Sequence, residues 1–152
     1  MQALQQSRAY FLDIIMQEYI ERSVFIAYKI KSQNFSQGHH WAGRYRKYKQ
    51  DWLLLITSIF GQGHHHEKPR TIRLTVRHDS KRKLIKDYGN LVGGAKPVPD
   101  CLTKLGWLKD DSMQWFWCDY RQEVCTGKEE GTRIDLFKQS LPFPLFKLIY
   151  CI

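Results

Sequence analysis

Carboxylates are in short supply in this chain. Its 152 residues carry 24 Lys plus Arg against 15 Asp plus Glu, a formal net charge of +9 and a pI near 9.5. That deficit argues against a surface built for cationic partners. It points to a polyanion, either nucleic acid or an anionic membrane surface; a charge that only keeps the protein soluble is the plainer alternative. Long apolar runs are missing as well. Stretches such as Trp52–Phe60 fall far short of the roughly 20 apolar residues of a membrane span. No basic segment leading into a continuous apolar stretch opens the chain, so neither a signal peptide nor a membrane span is expected, and a cytoplasmic protein is. Cysteine is sparse: Cys101, Cys118, Cys125 and Cys151 contain no C-x-x-C pair. This disfavours zinc and a disulfide framework and favours small buried hydrophobes in a reducing compartment. Repeats, low-complexity tracts and linkers are absent too. The chain therefore reads as a single domain, 1–152, with its own core.

What is present is periodicity. Leu4, Phe11, Leu12, Ile15, Tyr19 and Ile20 recur at helical spacing and predict a helix over 4–20, packed on the core or on a second copy. "SVFIAYKIK" (23–31) alternates as a strand, and the Ser, Asn and Gly of "SQNFSQGHH" mark a loop. A helix is predicted from Trp41, basic in its first half and apolar in its second, with Gly61 as its stop. "TIRLTVRHDS" predicts a second strand with Ile72, Leu74 and Val76 facing in and Arg73, Thr75 and Arg77 facing out. The Gly-Gly pair and two prolines that follow read as breakers, with a short helix in "PVPDCLTKLG". Third and fourth strands are expected in "MQWFWCDYRQEV" and "GTRIDLFKQ", joined as a hairpin through "TGKEEG". The apolar tail "LPFPLFKLIYCI" suits docking on the core or a partner chain. The fold class expected is α/β or α+β, a small mixed sheet with packed helices.

Two basic stretches stand out. Arg44, Arg46, Lys47 and Lys49 interleave with Tyr45 and Tyr48, a mixture that fits phosphate contact plus stacking or, more plainly, a solvated helix face. Arg77, Lys81, Arg82, Lys83 and Lys86 run directly into Asp87. His64, His65 and His66 are adjacent in a glycine-rich loop, so they point in different directions and make a poor metal cluster.

Asp87 follows the second strand, and Asp110 and Asp111 precede the third. If a crossover helix brings those strand ends together, their carboxylates offer hard oxygen ligands suited to Mg²⁺. A nearby lysine would stabilise negative charge on a phosphate. A turn rich in Asp is the ordinary alternative.

The order of residues here resembles the signature of the RusA-like Holliday-junction resolvase family: an Asp-x-Asp-Asn-Leu run, a lysine, Asp-x-Leu, a glycine and an Asp-Asp pair. The corresponding pieces are "DYGNL" (87–91), Lys96, "DCL" (100–102), Gly106 and Asp110–Asp111, with extra residues absorbed in "VGGAKP". The resemblance covers roughly residues 23–125 and is specific only around 86–112. It implies a RusA-like fold and a homodimer that nicks branched DNA, the four-way junction above all, in recombination and repair, often from a prophage. Mg²⁺ or Mn²⁺ would be the cofactor. It further implies that Asp87 and Asp111 bind the metal, that Lys96 assists at the phosphate and that Asn90 positions the site. The middle carboxylate of the pattern falls on Gly89, which has no ligand atoms; Asp110 could substitute for it. That departure raises a second expectation: a branched-DNA-binding protein of the same fold with weakened or lost catalysis.

Overall fold

The computed structural model describes residues 13–14, 17–36, 40–112, 114–125 and 129–138. Most of the predicted N-terminal helix and the whole apolar tail, with Cys151, lie outside the described residues. Residues 13–14 and 17–18 are helical, but Ile20 already belongs to a strand.

Four strands form one mixed sheet in the order β1-β4-β2-β3. They are β1 (Ile20–Ile26), β2 (Arg70–His78), β3 (Phe116–Val124) and β4 (Gly131–Phe137). Helices α1 (Trp41–Phe60), α2 (Tyr88–Ala95) and α3 (Pro97–Lys104) fill the connections, with short 3-10 turns at Gln33–Ser36 and Lys81–Lys83. The fold is therefore α+β, as expected. The boundaries of α1 follow from composition: its apolar stripe puts Tyr48, Trp52, Ile56 and Phe60 into the core, and Gly61 ends it at φ 66°, where side chains are disfavoured.

Several expectations need correction. The first strand is shifted: residues 27–31 continue past it, because β4 begins at Gly131 and leaves no partner beyond the Ile26↔Thr132 pair. Tyr28 N–H instead turns back to the Ile26 carbonyl, and Ile30 N–H donates to Thr132 Oγ1 at 3.2 Å. β3 and β4 do not form a hairpin. Each pairs with β2 instead, β3 parallel and β4 antiparallel. The central place of β2 explains why: Arg73 and Thr75, expected to face out, are buried along with Ile72, Leu74 and Val76. On that second face Arg73 pairs with Asp119 at 2.8 Å, Asp119 also receives Arg121 at 2.9 Å, and Arg121 reaches Asp13 at 3.2 Å. Buried charges persist only when paired in this way.

The Gly-Gly pair does not break the chain either. α2 runs through Gly93 and Gly94 because both press against the Lys31–Gln33 backbone and side chain; a Cβ on Gly94 would collide with the Lys31 carbonyl oxygen. Pro97 and Pro99 fall in the first turn of α3, where their missing N–H groups have no helical partner to lose. Cys101, Cys118 and Cys125 are free thiols, Cys101 buried and the others partly so.

Candidate nucleic-acid interface and acid cluster

Asp87 is the N-cap of α2. Its backbone is extended, and its Oδ1 accepts the Asn90 N–H at 2.9 Å. The carboxylate satisfies one of the orphan donors at the helix start; the bond uses the backbone N–H of residue 90, so it accounts for Asp87 and not for the Asn90 side chain. Asp87 and Asn90 are thus adjacent. Gly89 lies between them, and a Cβ there would stand 3.1 Å from Asp87 Oδ1. An acid at 89 would therefore sit beside Asp87, where the family pattern places its second carboxylate.

Lys96 sits at the other end of α2, at the junction with α3. Its ammonium donates to Asp100 Oδ1 at 3.3 Å and to Asp111 Oδ2 at 3.2 Å. The Asp111 bond, then the Asp100 bond, hold the lysine above its ordinary range. In return the Lys96 bond holds Asp111 below the usual carboxylate range. Asp110 serves its own loop: Oδ1 accepts the Asp111 N–H at 2.7 Å and Oδ2 the Ser112 hydroxyl at 3.2 Å.

A parallel β2–β3 pair sets the end of one strand and the start of the next at opposite edges of the sheet, since Arg70 pairs with Phe116 and His78 with Val124. The end of β2 and the start of β3 therefore do not meet directly, as the sequence reading had them do. The chain after β2 is held near the far end of β3, where Gln122 clasps the Ile85 backbone at 2.9 Å on both sides and Tyr88 meets the Tyr120 ring edge-on. α2 then runs back, and its length separates the backbones of Asp87 and Lys96 by roughly 13 Å at 1.5 Å per residue. Among the described residues no hydrogen bond connects Asp87 with Asp111, and no group of three or more His, Cys, Asp or Glu side chains is disposed around a metal ion. The donor set as it stands falls short of a divalent-ion site: Asp87 caps a helix, position 89 is bare, and Asp100 and Asp111 already hold an ammonium.

The predicted DNA contacts divide into groups. On α1, Arg44, Arg46, Lys47 and Lys49 are exposed, while Tyr48 turns inward and donates to the Gly94 carbonyl at 2.7 Å. Lys47 pairs with Asp51 at 3.0 Å and Lys49 with Asp100 at 3.5 Å; the Arg44 guanidinium lies 6.0 Å from the centre of the Phe35 ring. After β2, Lys81, Arg82, Lys83 and Lys86 are exposed. Lys83 is engaged by Asp79 at 2.8 Å and Glu130 at 3.3 Å; Lys81, Arg82 and Lys86 have no carboxylate partner among the described residues. Arg77 stands apart from them. It bonds Cys125 and Glu123 over the Phe25 ring on the second face of the sheet.

Two features were given no role from sequence. Asp100 joins Lys96 and Lys49, and its spacing from Lys96 was a readable i,i+4 signal. Lys31 lies 4.2 Å above the centre of the Phe35 ring and near Tyr28 and Tyr48, a contact made only by the fold. His64–His66 border a separate cavity of about 250 Å³ with Glu21, Glu67 and Arg70. No helix among the described residues is long and apolar enough to cross a membrane. No protein-family model and no curated protein matches this chain.

Proposed function

We propose that this chain binds branched DNA as a RusA-like module in which metal-dependent strand cleavage is weakened. The observation that carries the reading is the double engagement of Asp100, 3.5 Å from Lys49 and 3.3 Å from Lys96. It ties the basic half of α1 to the Lys96–Asp111 pair, so a phosphate drawn to α1 arrives beside the motif residues. The exposed cations Lys81, Arg82 and Lys86 add a second patch for the DNA backbone. The weakening follows from Gly89 and from the prior engagement of Asp87, Asp100 and Asp111.

The test is fluorescence anisotropy with a labelled four-way junction and a linear duplex of equal length, in EDTA and then in Mg²⁺ or Mn²⁺, with nicking followed on gels. The junction should bind about tenfold more tightly, a difference of 1.4 kcal/mol, with little nicking. Equal affinity for the two DNAs would overturn the reading.

A second reading is a Mg²⁺- or Mn²⁺-dependent endonuclease with Asp87, Lys96 and Asp111 as its catalytic set. Gly89 counts against it in the native chain, which offers no side-chain ligand there; an acid at 89 would stand beside Asp87. Gly89→Asp is expected to raise Mn²⁺ affinity and nicking together. Rapid nicking by the native chain would establish the second reading over the first. A two-fold homodimer accompanies both, since a junction presents two equivalent strands; sedimentation of the full chain reads it directly.

A further inference from the structure

A groove of about 450 Å³ runs between α1 and α3, lined by Arg46, Lys49, Gln50, Leu53, Asp100, Cys101 and Lys104. The α1 residues recur at i, i+3, i+4 and i+7, so they form one stripe of that helix. We propose that this groove holds a single nucleotide of an unpaired DNA strand, with the phosphate on its cations and the base on its apolar floor. The proposal rests on the DNA-binding reading above and adds to it a site with its own selectivity.

Charge, floor and size agree. Arg46, Lys49 and Lys104 face one carboxylate, Asp100, so the groove is cationic. Its floor is Leu53 and Cys101, the latter only 4% exposed. Burial pushes the Cys101 thiol up to about 11, which keeps it neutral and an apolar surface rather than a nucleophile. The volume lies within the range of small-ligand sites, about 300–1,000 Å³.

The groove can also open at little cost. Lys49 and Asp100 meet at 3.5 Å with the lysine side chain about half exposed, a weak pair. When Lys49 turns to a phosphate, Asp100 keeps Lys96 at 3.3 Å and is not left uncompensated. A duplex hides its bases in the stack, whereas a frayed or branched strand presents them.

The probes are a five-residue oligothymidylate, inorganic phosphate and a linear duplex, titrated into the full chain and followed by anisotropy and amide chemical shifts. The oligonucleotide should shift the amides of Arg46, Lys49, Cys101 and Lys104 and bind well above inorganic phosphate. Lys104→Gln alters an exposed side chain and should lower oligonucleotide affinity about tenfold, the scale of one charged hydrogen bond, with duplex affinity nearly unchanged. Inorganic phosphate binding as well as the oligonucleotide would overturn the base-holding floor. An equal loss of duplex affinity in Lys104→Gln, or shifts confined to residues outside the groove, would overturn the site itself. Retained junction binding in those cases leaves the DNA-binding reading standing, and loss of all DNA binding removes both.

Discussion

Lys96 holds two carboxylates at once, and the charge states on both sides respond to it. Asp111 has a folded pKa below its unfolded value of about 3.9. Its contribution to stability is complete above that pH and is lost as pH falls through the folded value. Lys96 is the mirror case: raised in the fold, it contributes fully below about 10.4 and loses its effect as pH rises through the higher folded value. The two side chains are 59% and 38% exposed, so the pair is worth at most about 1 kcal/mol. Lys96→Met should raise the Asp111 titration, followed by carboxyl NMR, toward the ordinary Asp range and remove its share of the acid-side loss of Tm. An Asp111 titration that does not move would show that the pair is not formed in solution. Half of this cluster was readable in the chain, since Lys96 and Asp100 are four residues apart on one helix face. The Asp111 half required the loop after α3 to fold back, which no local spacing encodes.

At the scale of elements, α2 is the instructive case. By propensity a Gly-Gly pair ends a helix, yet here the close approach of α2 to Lys31–Gln33 makes small residues necessary. Gly94→Ala should cost about 3 kcal/mol, the upper end of overpacking penalties, because the obstacle is a backbone carbonyl; urea denaturation measures it. The start of the same helix separates two roles for Asp87. As a cap, Asp87→Ala should cost about 1 kcal/mol while Asp87→Asn costs almost nothing, since both residues cap well. As a metal ligand, Asp87→Asn would lower Mn²⁺ affinity with stability intact. Measuring stability and Mn²⁺ binding on both variants tells which role the side chain has.

For the whole molecule, an excess of nine positive charges predicts a steep salt dependence of DNA binding. The structure ranks the contributors. Arg46→Ala and Arg82→Ala should each reduce the slope of log K against log salt by about one. Lys83→Ala should reduce it less, because Asp79 and Glu130 already neutralise that ammonium. Slopes unchanged from the native chain in all three variants would place the DNA elsewhere on the surface. The same scale governs β2. Its alternation of apolar and polar residues looked like a half-buried strand, but a neighbour on either edge and ion pairs across the second face bury both sets.

The sequence by itself determined the basic excess, the span of α1 from Trp41 to the glycine that ends it, the segments of β2, β3 and β4 and the Asp87-to-Asp111 spacing. All of these are local, set by charge count, side-chain period and turn chemistry within a few residues. Only the tertiary structure decided that β2 lies between β3 and β4, that Arg73 and Thr75 are buried, that Asp100 bridges α1 to Lys96, and that Asp111 folds back onto the Lys96 ammonium. Strand order and direction are chosen by contacts between segments far apart in the chain. A parallel pair separates the end of one strand from the start of the next, a direction that no local spacing encodes.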